Sequence, residues 1–95
     1  MKVVYEVTIE TKTNEGDTLV SKYLFEKQEE ANKYLSMVAG QYKKQKYMFL
    51  PRNPALLDTD PIFCQYKDDK DIVYTVIRTK QCLYSTADEV METTR

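Results

Sequence analysis

Only one stretch of the chain carries a strong helical pattern: Lys27 to Lys46, KQEEANKYLSMVAGQYKKQK. Ala31, Tyr34, Leu35, Val38 and Tyr42 recur at i, i+3, i+4, i+7 and i+11, so they share one face of a 3.6-residue helix. Burying five such side chains is worth on the order of 10 kcal/mol gross, provided a sheet receives them. Glu29 and Glu30 in the first turn and Lys43, Lys44 and Lys46 near the last match the helix dipole. No Ser, Thr, Asp or Asn stands just before the pattern, so the usual N-cap is missing. Gly40 either lies inside the helix, at a cost of about 1 kcal/mol, or ends it as a cap. The helix is expected to run to about Lys43 or Lys44.

The rest of the chain reads as strand, turn or loop. Val3, Tyr5, Val7 and Ile9 alternate with Val4, Glu6, Thr8 and Glu10, which predicts a half-buried strand with its odd positions inward. Asn14-Glu15-Gly16 fits a three-residue hairpin loop with glycine at the left-handed position. That loop pairs Thr11 with Leu19, Ile9 with Ser21, Val7 with Tyr23 and Tyr5 with Phe25, and the apolar faces coincide. A two-residue loop would place Lys22 and Glu26 on the core face, so the three-residue loop is preferred.

After the helix, Tyr47 to Leu50 is a short apolar run, either a third strand or the packed start of a loop. Three prolines between Pro51 and Pro61 exclude a central strand there and leave room for one helical turn at Ala55–Leu57. Ile62–Lys67 and Ile72–Thr79 read as a second hairpin across a four-residue loop, Asp68 to Asp71. That loop pairs Lys67 with Ile72 and Cys64 with Thr75. One face then carries Ile62, Cys64, Tyr66, Val73, Thr75 and Ile77, and the other Phe63, Gln65, Lys67, Ile72, Tyr74, Val76 and Arg78. Gln81 to Tyr84 extends this strand or forms a short one. Ser85 or Thr86, with an acid three residues on, starts a short helix from Ala87 to about Glu92, and Thr93 to Arg95 is expected to fray.

Two hairpins separated by a helix predict a single α+β domain over residues 1–95. Its architecture is an antiparallel sheet of four to five strands, β-β-α-(β)-β-β-(α), with one main helix across one face. There is no 18-residue apolar run and no apolar block at the N-terminus, so an intracellular, cytoplasmic protein with no membrane span is expected.

Absences exclude most chemistry. The chain has no His, hence no Ser–His–Asp or Cys–His arrangement and no His-ligated zinc. With only Gly16 and Gly40 it has no P-loop or dinucleotide fingerprint. Cys64 and Cys82 are too few for a Cys-only zinc site, are not a CxxC pair, and are read as free thiols. Asp58, Asp60, Asp68, Asp69 and Asp71 lack the EF-hand pattern and are read as turn residues. No catalytic residue, cofactor or metal is assigned, and the chain is not expected to be an enzyme.

Binding surfaces remain. One helix covers one side of a sheet, so Phe63, Ile72, Tyr74, Val76 and Arg78 on the other side of the second hairpin form the expected protein-binding patch. The alternative is that the C-terminal helix or the proline-rich loop covers it. Eight tyrosines favour interfaces, although Tyr5, Tyr23, Tyr34 and Tyr42 lie on core faces. The expected function is a non-catalytic protein-binding module, a small inhibitor or adaptor that occludes a larger partner's surface or adds an edge strand to it. Small size without an active site is also what phage-encoded inhibitors of host enzymes look like, an analogy of functional class. Homodimerisation through a strand edge or the outer hairpin face fits equally. The rival is single-stranded nucleic-acid binding through Tyr42, Lys43, Lys44, Lys46, Tyr47 and Arg52, where bases and aromatics interleave. A net charge of −1 and a helix end that wants lysines in any case weigh against it.

Overall fold

The computed structural model describes residues 1–50 and 62–93. Among them are five strands and two helices: β1 (Lys2–Lys12), β2 (Thr18–Phe25), α1 (Gln28–Lys44), β3 (Met48–Phe49), β4 (Ile62–Lys67), β5 (Val73–Leu83) and α2 (Ala87–Thr93). The strands form one antiparallel sheet in the order β2-β1-β5-β4-β3. This is the expected α+β architecture. The turn read at Ala55–Leu57 lies outside the described residues. At the C-terminus, α2 starts at Ala87 as expected and ends at Thr93, within one residue of the expected end, and Thr94 and Arg95, where fraying was expected, lie outside the described residues.

The first hairpin has the expected register, with Thr11 opposite Leu19, Ile9 opposite Ser21, Val7 opposite Tyr23 and Tyr5 opposite Phe25. Thr13 and Asp17 close the loop: the Thr13 amide donates to the Asp17 carbonyl at 2.9 Å, and the Gly16 amide to the Thr13 carbonyl at 3.1 Å. Gly16 has φ +94°, the left-handed conformation in which a side chain is strained.

A two-residue link carries the chain from β2 into α1. Lys27 is the N-cap, extended at φ −115° and ψ 136°, with no side-chain cap. Gly40 lies inside the helix and does not end it. The terminator is Lys46, at φ +64°. The Tyr47 amide donates to the Tyr42 carbonyl (3.1 Å) and the Lys46 amide to the Lys43 carbonyl (3.0 Å), the two bonds of a Schellman motif. The motif normally brings an apolar contact between its two flanking residues. Here that contact is Tyr47 stacked on Tyr42, ring centroids 5.9 Å apart.

Val7, Ala31 and Val76 are the fully buried centre, with Tyr5, Ile9, Phe25, Tyr34, Leu35, Val38, Tyr42 and Cys64 packed around it. All five residues of the expected helix face therefore meet the sheet. Ala31 has the smallest side chain of that face and is fully buried against Val7 and Val76. Aromatic pairs flank this centre. Tyr34 packs on Tyr23 (5.2 Å) and Phe25 (5.6 Å) near β2, and Tyr42 packs on Tyr66 (5.4 Å) and Tyr74 (5.1 Å) over β4 and β5. Helix α1 thus crosses the sheet diagonally, from the β2 side to the β4 side.

The second hairpin departs from the expected register by one residue. Lys67 pairs with Val73, not Ile72, and Cys64 with Val76, not Thr75. The Asp68 amide donates to the Ile72 carbonyl at 3.1 Å and the Asp71 amide to the Asp68 carbonyl at 3.3 Å, with Asp71 at φ +65°. These are the same bonds as in the first loop. Asp68 and Ile72 close a three-residue loop, Asp69–Asp71, so β5 enters the sheet one position later. Side chains alternate with period two, so this slip exchanges the two faces of β5.

Candidate functional site

The slip dismantles the expected patch of Phe63, Ile72, Tyr74, Val76 and Arg78. Val76 is 0 % exposed and Arg78 3 %. Both lie on the helix-bearing face, where Val76 is opposite Ile9 and Arg78 opposite Val7. The Arg78 guanidinium carbon sits 5.8 Å from the centroid of the Tyr5 ring. Tyr74 is on this face too, stacked on Tyr47 at 5.1 Å and 13°. Its hydroxyl donates to Asp68 Oδ2 at 3.0 Å. Burial, the hydrogen-bonding contact with Tyr47, and the bond to and charge of Asp68 push the Tyr74 phenol well above the ordinary tyrosine range. Ile72 is half-buried in the loop-closing pair. Phe63 alone is on the reverse face, opposite Ile77. The residues named from sequence therefore do not form one surface.

The basic-aromatic stretch is brought together differently from the way a base-stacking platform needs. Lys43, Lys44 and Lys46 are exposed, and Arg52 lies outside the described residues. Tyr47 contacts both Tyr42 and Tyr74, and Tyr42 contacts Tyr66 as well. These rings spend their faces on one another. Of the aromatics at this end, Phe49 remains largely exposed, edge-on to Tyr66 at 5.4 Å.

The acidic turn folds on itself. Asp68 Oδ1 accepts from the amides of Lys70 (2.9 Å) and Ile72 (3.0 Å), and Oδ2 from Tyr74. Asp71 pairs with Lys67 at 3.3 Å. Among the described residues no cluster of acids and thiols is arranged to hold a metal ion. Cys64 and Cys82 are both free, and burial pushes the Cys64 thiol up, away from the thiolate. Among the described residues no helix is long and apolar enough to cross a membrane.

The surface that stands out is strand β2. Leu19 is 69 % exposed, Tyr23 45 %, Val20 51 % and Leu24 59 %. Leu19 and Tyr23 lie on the helix-bearing face, and Val20 and Leu24 on the reverse face, opposite Glu10 and Glu6 of β1. Tyr23 is on the face expected of it but remains open because β2 is an edge strand. The strand therefore presents apolar side chains on both faces and, among the described residues, one unpaired backbone edge, a combination that soluble proteins usually blunt with charge or proline. Lys22 is the only charge within it. The signal was present in TLVSKYLF, which is apolar at odd and even positions alike. Only the sheet order makes β2 an edge.

Comparison of the chain with protein-family models, with curated proteins and with solved structures returned no significant match.

Proposed function

We propose that the chain is a non-catalytic protein-binding module whose docking element is β2, extended by strand addition to another sheet. One observation carries this reading: four large apolar side chains on both faces of an edge strand stand 45–69 % exposed beside an open row of backbone groups. Strand addition uses the backbone row for affinity and the alternate side chains for selectivity. An inhibitor or adaptor acting in this way needs no catalytic residue. The free thiols of Cys64 and Cys82 suit a reducing compartment, so the partner is sought in the cytoplasm.

The test is affinity capture from the native cell with the wild-type chain and with a Leu19→Lys, Leu24→Lys variant. Both positions are exposed, so the variant should hold its thermal stability within about 0.5 kcal/mol. A partner retained by wild type and lost by the variant supports the reading. A partner held equally by both removes β2 as the docking element.

A further inference from the structure

Resting on the reading of β2 as a docking edge, we infer that its occupant is β2 of a second copy of this chain. The pairing is antiparallel about a two-fold axis at Ser21. A two-fold axis relating two antiparallel edge strands stands perpendicular to the sheet, so each face meets its own kind and odd positions lie opposite odd ones. The axis therefore passes through a residue of β2. Hydrogen-bonded pairs alternate along a ladder, and Thr13–Asp17 is one of them. Leu19, Ser21, Tyr23 and Phe25 accordingly direct their backbone groups to β1, while Thr18, Val20, Lys22 and Leu24 direct theirs outward.

Four registers pair at least five residues of each strand. An axis at Lys22 sets two like charges directly opposite, which is destabilising. An axis at Val20 shortens the overlap and runs Leu24 past the strand into Gly16 of the turn. An axis at Tyr23 shortens the overlap and runs Val20 past the strand against Glu26. An axis at Ser21 avoids both faults. It sets Leu19 against the partner's Tyr23 twice on the helix-bearing face, and Thr18 against the partner's Leu24 on the reverse face. Lys22 falls against the partner's Val20, where its aliphatic stem covers apolar surface and its ammonium reaches water. At each end, Asp17 comes opposite the partner's Phe25 and diagonal to its Lys27, while Glu26 stays on Lys2 of its own chain at 2.7 Å. Opposite charges thus lie diagonally across both ends, and apolar residues meet between them. The product is a continuous ten-strand sheet, counting the described strands of both copies, with the two α1 helices on the same side.

The register is tested by cross-linking and the association by light scattering from micromolar to millimolar concentration. Ser21 lies opposite itself as a non-hydrogen-bonded pair, whose Cα separation of about 4.5 Å accepts a disulfide. In a Cys82→Ser background, mild oxidation of Ser21→Cys should give a covalent dimer, and Lys22→Cys should not. Val20→Pro removes an outward amide without touching the β1 ladder, so it should weaken the dimer about tenfold or more while leaving the monomer folded. A monomer at every concentration overturns the inference, as does a dimer indifferent to Val20→Pro or one cross-linked at Lys22→Cys in preference. A monomer that still captures a protein through β2 overturns self-pairing alone. A monomer that captures nothing through β2 overturns the docking edge as well.

Discussion

Gly16 and Asp71 occupy the same position in two copies of one loop. Gly16 has φ +94° and Asp71 φ +65°. Each donates its amide to the residue three before it, Thr13 and Asp68 respectively. The residue that opens each loop also caps it with a side-chain oxygen: Thr13 Oγ1 accepts from the Asp17 amide at 3.1 Å, and Asp68 Oδ1 from the Ile72 amide at 3.0 Å. An L side chain in the left-handed region costs energy that glycine does not. Asp71→Gly should therefore stabilise the protein by about 0.5–1 kcal/mol in urea unfolding, since the exposed Lys67–Asp71 pair it removes contributes little. Gly16→Ala should cost about 1 kcal/mol. A Cβ there meets nothing within 4 Å, so the cost is one of backbone conformation alone.

Asp68 makes the second loop sensitive to acid. Desolvation pushes its carboxyl up, but the amides of Ile72 and Lys70, the Tyr74 hydroxyl and the Lys70 charge together outweigh that and hold it below the ordinary aspartate value. A carboxyl depressed in the folded state contributes stability that is complete above its unfolded pKa and is lost as pH falls through its folded one. The thermal midpoint of wild type should exceed that of Asp68→Asn at neutral pH. The gap should narrow below about pH 4 as the wild-type carboxyl protonates. A gap that stays constant down to strongly acidic pH would show that the carboxylate charge is not what the loop uses.

The register of β5 can be checked by stability alone. Val76 is fully buried beneath α1, so Val76→Ala should cost about 2 kcal/mol in chemical denaturation. Tyr74→Ala should also destabilise, because it removes the ring between Tyr42 and Tyr47 and the donor to Asp68. Near-neutral values for both would fit the opposite face assignment, in which these side chains point away from the helix.

Helix α1 is imperfect at both ends, and each end can be improved. Lys27→Ser supplies an N-cap hydroxyl and, with Glu30 three residues on, completes a capping box. The expected gain is about 1 kcal/mol. Lys46→Gly relieves the left-handed φ of the Schellman position and should add about 0.5–1 kcal/mol. The two sites are at opposite ends of the helix, so a double variant should show additive gains in the denaturation midpoint.

Several features were legible from local pattern. The face of α1, its end near Lys44 and the first hairpin followed from periodicity, charge and Gly16, because each depends on residues close in sequence. The start of α2 was legible for the same reason: Thr86 Oγ1 accepts from the Glu89 amide at 3.2 Å, and Glu89 Oε2 from the Ser85 amide at 2.8 Å. The second hairpin was not legible to the residue. Its loop puts aspartate where glycine normally advertises the left-handed turn, and an unannounced loop leaves the register free by one. That single step buried Val76 and Arg78 and dispersed the surface expected around them.

By itself the sequence determined that one amphipathic helix would lie on an antiparallel sheet, and that His-based and glycine-loop chemistry was out of reach. Only the tertiary structure decided that β2 is one of the two strands left at a margin of the sheet. Strand β1 pairs with β5 from Lys2 opposite Leu83 to Lys12 opposite Val73, a match between the two ends of the chain. No local propensity encodes that match, because it is selected by the burial it permits across the whole sheet. Once β1 is enclosed between β5 and β2, the outer side of Thr18–Phe25 is left open, and the exposed leucines acquire their meaning.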